Sequence, residues 1–456
     1  MADKDNLHSR RTAAQMHALA AVRREMRYRD SASGGKYLRE FTQGFRRYDA
    51  VLAPEQLNEK IAAASVVLVG DYHALAASQR FTAELLEKVA QSRRVVIGLE
   101  AVLSRDQRIL DAWWRREITE NELRQRLHFD REWGYDWLPF YELLSSARDH
   151  AEGIYGLDCM PRNDLRRIGS RDRHAAAKIC QMREQHPDAA IVVLFGESHL
   201  APQHLPRCLR ESLQGKEILT ILQNVDALYW QALAEKAGAV SVGESTVCVF
   251  NSTPLEKVES YRMCFERWNA ASGDLPDFAP AVYNLIFSLA TCLGFRLDSP
   301  RNGTQPKFLA DSLPEVVSVN TDSTASLANE QAQQLEETGC VYVPETNTFL
   351  VREFQMAAAA KESARFLHYA CRGMVSSCVQ AKVIEEALAR FGSRLLSPEV
   401  GEDGTSDETA PGDILYRAYL GGRVAKPALR RMFLSKLEDP DQVATTLKNI
   451  QEADSE

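Results

Sequence analysis

Between residues 66 and 250 the chain repeatedly sets a short apolar, β-branched run against a longer stretch with helical spacing, and this alternation constrains the fold most. The runs are SVVLVG (65–70), RVVIGLE (94–100), GIYGLD (153–158), AIVVLFG (190–196), EILTILQ (217–223) and VSVGESTVCVF (240–250). Between the first two, Leu75, Phe81, Leu85, Leu86 and Val89 recur at helical spacing. Further helices are predicted over 106–127, 138–151, 171–185 and 226–237. Runs without polar alternation belong to strands buried on both faces, so the expectation is an α/β fold with a largely parallel or mixed sheet flanked by helices. In such sheets ligands bind beyond the carboxyl ends of the strands.

After residue 250 the pattern becomes mainly helical: 254–271, 278–293, 325–337, 354–391 and short helices beyond 412. Ser252 or Thr253 can cap the first of these, which Pro254 opens. One β-hairpin is predicted over 340–352, around Pro-Glu-Thr-Asn. Turn formers mark a loop at 297–307, and the acidic stretch 397–413 is expected to be disordered. The expected division is a basic helical extension over 1–50, an α/β domain over 51–250 and a helical C-terminal domain over 251–456. The arginine-rich start reads as a solvated helix on the main domain, with a docking or membrane-surface helix as the alternative.

A net charge of −8 argues against a nucleic-acid partner, whose recognition needs a basic face. No stretch approaches the roughly 20 apolar residues of a transmembrane segment. No signal core is seen, and nine scattered cysteines without a CxxC pair fit a reducing compartment, so a cytoplasmic location is expected.

Two of the apolar runs end in the same four-residue pattern, Gly70-Asp71-Tyr72-His73 and Gly196-Glu197-Ser198-His199. A glycine lets the backbone bend or approach a ligand closely, and the following histidine faces across the sheet edge. A third run ends in Glu100, a charge where a buried strand should stay apolar. Two imidazoles and one carboxylate at one edge match an open divalent metal site made of His73, Glu100 and His199, with Asp71 or Glu197 as base or supporting acid. The opposing reading is that the acids merely cap the helices that follow. Ser198 is not expected to be a nucleophile, because GESHL lacks the second glycine of the hydrolase elbow. Arg105 and Gln107 can bind an anionic ligand or simply open the next helix. Trp133, Tyr135, Trp137, Phe140 and Tyr141 can line a pocket for a flat ligand or pack in the core. Tyr135 can also serve as an axial haem ligand. Arg171, Asp172 and His174 face either the strand-end surface or solvent.

The pieces GDYH, GLEAVLSRDQ, EWGYDWLPFYELL, GLD, SRDRHAAAKI and FGESH, in this order over residues 50–225, resemble the ChaN-like family. That family lies in the haem-binding-uptake/Tiki superfamily with TraB-type proteins and erythromycin esterases. The resemblance implies an α/β fold with His73, Glu100 and His199 at the site and Asp71 and Glu197 as the acids of its two turns. Gly70, Gly196, Arg105, Gln107, Tyr135, Arg171, Asp172 and His174 are the expected ligand contacts around that site. Relatives similar to Tiki are metal-dependent proteases, the esterase branch hydrolyses a macrolactone, and ChaN is associated with haem and iron uptake. Asp71 replaces the more common Glu, and no lipobox is present. Three functions are therefore expected: binding of a metal ion or a small haem-type ligand, metal-dependent hydrolysis by the same residues, or non-catalytic interaction.

Overall fold

The apolar runs become strands of one sheet in the computed structural model of the protein, which describes residues 2–29, 36–162, 168–213, 217–235, 237–269, 275–295, 313–320, 327–371, 378–398 and 409–453. The loop predicted at 297–307 and residues 399–408 of the acidic stretch lie outside the described residues. Two compact units are present, one of Arg29–Cys264 and one joining Met1–Tyr28 to Phe265–Glu456.

The first unit holds β1 (Ala50–Val51), β2 (Val66–Asp71), β3 (Val95–Leu103), β4 (Ile154–Asp158), β5 (Ala190–Gly196), β6 (Ile218–Gln223), β7 (Ala239–Ser241) and β8 (Thr246–Val249). Their order is β1-β7-β8-β6-β2-β5-β3-β4. From β8 to β4 every pairing is parallel, whereas β7 runs antiparallel to β8 and β1 antiparallel to β7. The central β2 and β5 are buried along their whole length. One face packs Val67, Val69, Ile97, Val192 and Leu194 against Leu85, Leu86 and Val89 of the helix Ala76–Ala90 and Phe140, Leu143 and Leu144 of the helix Trp137–His150. Each such side chain contributes about 1.5–3 kcal/mol.

Two predicted elements divide. Residues 240–250 form the hairpin of β7 and β8, because Gly243 takes a positive φ of 76° and the Val242 N–H bonds the Thr246 carbonyl at 2.8 Å. The stretch 106–127 breaks at Arg116, whose φ is 61°, and restarts where Thr119 and Glu122 form a reciprocal capping box.

Register determines what meets at the carboxyl edge. Asp71 stands opposite Gly196, and Leu99 opposite Leu194, so Glu100 follows within one residue of that height. Against β4, Leu99 pairs with Gly156 but Leu103 pairs with Asp158, so four steps along β3 match two along β4. The bulge spans Glu100–Val102 and frees Glu100 from the regular pleat, as bulges beside ligand sites do.

The second unit contains the helices Ala279–Leu293, Met356–Cys371, Val379–Leu396, Pro411–Leu420, Lys426–Phe433 and Pro440–Glu452, so the single helix predicted over 354–391 is two. The predicted hairpin forms as β10 (Cys340–Val343) and β11 (Thr348–Val351), joined by β9 (Glu315–Ser318) parallel to β11. The N-terminal helix Ala2–Arg29 buries Ala14, Ala18, Leu19 and Val22. Within its unit, Arg10 donates to the Tyr419 carbonyl at 2.8 Å and Asn284 donates to the Ala18 carbonyl at 3.0 Å. Among the described residues no helix is long and apolar enough to cross a membrane.

Candidate functional site

At the end of β2, His73 turns back so that its Nδ1 lies 2.8 Å from Asp71 Oδ2, while Gln79 donates to Asp71 Oδ1 at 2.6 Å. At the end of β5, His199 sits in the short turn Glu197–Leu200 with Nδ1 2.6 Å from Asp172 Oδ1. Both imidazoles aim Nε2 at one carboxylate. His73 Nε2 lies 4.0 Å from Glu100 Oε2, and His199 Nε2 lies 3.7 Å from Glu100 Oε1. His199 is buried, whereas the His73 side chain keeps 23% of its surface exposed beside Trp133 and Tyr135, with ring centroids 4.4 and 5.2 Å away.

Glu100 is buried and charged only because its neighbours compensate it. Arg171 donates to Oε1 at 2.5 Å, and the Gly196 N–H donates to Oε2. Burial opposes ionisation of Glu100, but His199, His73, Arg171 and the Gly196 N–H outweigh it and hold the carboxyl well below its usual range. Burial likewise opposes protonation of His73, yet Asp71 and then Glu100 raise its pKa above the ordinary histidine value. Gly196 is required by space: a Cβ there would lie 2.9 Å from Glu100 Oε2 and 3.2 Å from His73 Cε1. Gly70 is less constrained, its nearest prospective contact being Glu197 Cβ at 3.4 Å. Arg171 also forks onto Asp158 with two bonds of 2.8 Å. Arg162 bonds Asp158 at 2.7 Å and covers the Trp133 ring at 4.9 Å.

The remaining expected residues divide into those near this cluster and those used elsewhere. The two turns are not equivalent, since Glu197 faces Lys257 at 2.7 Å and leaves Asp172 as the carboxylate on His199. Arg105 is exposed and lies 3.7 Å from Asp106. Gln107 binds the Ile154 carbonyl and the Gly156 N–H, which ties a helix start to β4. His174 faces Ser104 at 2.8 Å. The sequence reading overlooked Gln79, Arg162, Lys257, and His204, which lies 3.0 Å from Glu40 and 3.8 Å from Asp172. Gln79 had a legible signal, being in the first turn of the helix that follows the first pattern, but the others meet the site only through long-range folding.

The three expected metal ligands, His73, Glu100 and His199, meet around one carboxylate. Among the described residues no group of three His, Cys, Asp or Glu side chains is arranged to hold a metal ion. Both Glu100 oxygens already accept hydrogen bonds, and a cation at Oε1 would meet the Arg171 guanidinium. Each histidine nevertheless has the posture of a single ligating imidazole, with Nδ1 on a carboxylate. The enclosed space bounded by Asp71, His73, Glu100 and Trp133 is about 10 Å³, room for one water molecule.

Residues 57–187 match the family described as haem-binding uptake, Tiki superfamily, ChaN. The ChaN-like family is thus matched by residues 57–187 of the α/β domain. The match covers β2, β3, β4 and the helix Ile168–Gln185, and it stops before the second histidine turn. The chain is similar to a structure of ChaN of Campylobacter jejuni described as showing cofacial haem binding, at 14% identity, with 43% of this chain and 91% of that one covered and a TM-score of 0.30. It is also similar to the type III effector HopBA1 at 13% identity, covering 45% of this chain and 96% of that one, with a TM-score of 0.33. No curated protein matches the chain.

Proposed function

We propose that the ChaN-like domain binds a flat, apolar ligand of haem type at the carboxyl edge of the sheet, with His73 as the contacting imidazole. The observation that carries this reading is the half-open His73 ring, fixed by Asp71 and flanked by Trp133 and Tyr135. Exposed apolar surface is added by Leu138, in the first turn of the helix Trp137–His150, and by Met160, just after β4. The enclosed space is too small for a porphyrin, so such a ligand lies over the open side of His73. Bound haem would supply an iron atom to an imidazole and a broad apolar face to the aromatic rings. Burial raises the Tyr135 hydroxyl pKa, so the phenol keeps its proton in the ligand-free protein and offers its ring face beside His73. The family description supports a haem-type ligand. A cytoplasmic setting belongs to the same reading and accords with the free thiols. Haem added to the full chain should bind with a saturable absorbance change, and Trp133→Ala should weaken that binding up to about tenfold through the lost stacking contact. Equal affinity in both proteins refutes the placement.

A second reading, hydrolysis without a bound metal, is favoured by the two imidazole–carboxylate pairs that converge on Glu100. Such pairs hold an imidazole ready to accept a proton. It predicts esterase activity that survives chelation and falls about a hundredfold in His199→Gln.

A further inference from the structure

We propose that Ser104 and His174 form a second reactive centre, a nucleophile–base pair that takes the acyl group of small esters at the β4 edge of the sheet. Ser104 leaves β3 just after the bulge and opens the short turn Ser104–Asp106. Its Oγ lies 2.8 Å from His174 Nε2, within the distance a serine needs to pass its proton to an imidazole. His174 lies on the helix Ile168–Gln185, three residues beyond Arg171, whose guanidinium is locked to Asp158 and Glu100. That lock fixes the backbone from which His174 reaches Ser104.

Next to the pair is a cavity of about 150 Å³ lined by Ser104, Gln107, Tyr155, Gly156, Lys178 and Met182. A cavity of about 150 Å³ takes a molecule of roughly benzene size, so it holds a short acyl group rather than a long chain. The Lys178 ammonium on its wall suits an ester that also carries a carboxylate. Burial and then Lys178 lower the His174 pKa, outweighing Asp158, so the ring is in its proton-accepting form at neutral pH. In the reaction Ser104 Oγ bonds to the ester carbonyl carbon as its proton moves to His174 Nε2. The carbon–oxygen bond to the alcohol then breaks, and the leaving oxygen takes that proton. Water cleaves the acyl-serine by the reverse proton path and releases the acid. No group of the His73–Glu100–His199 cluster takes part.

A fluorophosphonate reporter, which phosphonylates activated serines and loses fluoride, tests this on the full chain by intact mass and peptide mapping. One adduct on Ser104 is expected, absent in Ser104→Ala and formed about a hundredfold more slowly in His174→Gln. Ser198→Ala, at the other serine that stands beside a site histidine, should label at the native rate. Variants are compared after their far-ultraviolet dichroism and melting curves are shown to match the native protein, and His174→Asn replaces His174→Gln where the latter fails to fold. No adduct, an adduct only on another residue, or an unchanged rate without His174 overturns the proposal.

Discussion

Replacing Arg171 by methionine keeps much of the side-chain volume and removes the charge that compensates two buried carboxylates. Glu100 would keep the Gly196 N–H and the two imidazoles, and Asp158 would keep Arg162. Both carboxylates are almost fully buried, at 3% and 0% side-chain exposure, so solvent cannot replace the lost bonds. Removing one partner of such a pair costs about 3–5 kcal/mol, mostly because the other charge stays buried. For a domain of this size that corresponds to a fall in melting temperature of roughly 6–20 °C. Urea unfolding followed by tryptophan fluorescence measures the cost directly. Arg171→Met combined with Glu100→Gln removes the stranded charge as well, and should be more stable than the sum of the single losses by about 1–3 kcal/mol. A single-variant cost below about 1 kcal/mol would show that Arg171 does not hold the cluster together.

Gly196→Ala should cost about 1–3 kcal/mol in urea unfolding, since the new methyl meets Glu100 and His73 at contacts too short to keep. Lys257→Met strands the Glu197 carboxylate, so a loss of about 3–5 kcal/mol is expected, largely restored by adding Glu197→Gln. His368 is buried with Nδ1 3.1 Å from the Phe433 carbonyl, and burial lowers its pKa to about 4. The unfolded chain therefore binds a proton near pH 6.5 that the folded chain refuses until about pH 4. Stability supplied by the neutral ring is complete above pH 6.5 and declines through that window, by roughly 3 kcal/mol. Urea midpoints of the native protein and His368→Asn at pH 7 and pH 4.5 should show a shallower acid decline in the variant.

The sheet was legible because β2, β3, β5 and β6 are continuous apolar runs, which only a doubly covered strand tolerates. The hairpin β7–β8 was not, since the polar Gly243-Glu244-Ser245 turn lies inside an alternation that a single strand would also show. At the site, the chain order of the two glycine turns and Glu100 was enough to bring His73, Glu100 and His199 together. It was not enough to tell that Glu100 spends its oxygens on Arg171 and Gly196, because that depends on the β3 bulge and on the rotation of a distant helix. The same limit explains Glu197, which looked equivalent to Asp71 until Lys257, 60 residues later, reached it. Gln107 could be read as an anion ligand or as the opening of the next helix; it opens the helix, and two backbone groups of the β4 region claim its amide.

A spectrophotometric haem titration of the full chain beside His73→Ala and His199→Ala tests the central claim most directly. The half-open His73 predicts a shifted, saturable Soret band in the native protein, lost in His73→Ala and retained in His199→Ala if that variant folds. An unshifted, non-saturating spectrum in the native protein, or a band unchanged by His73→Ala, would contradict haem-type binding at this edge.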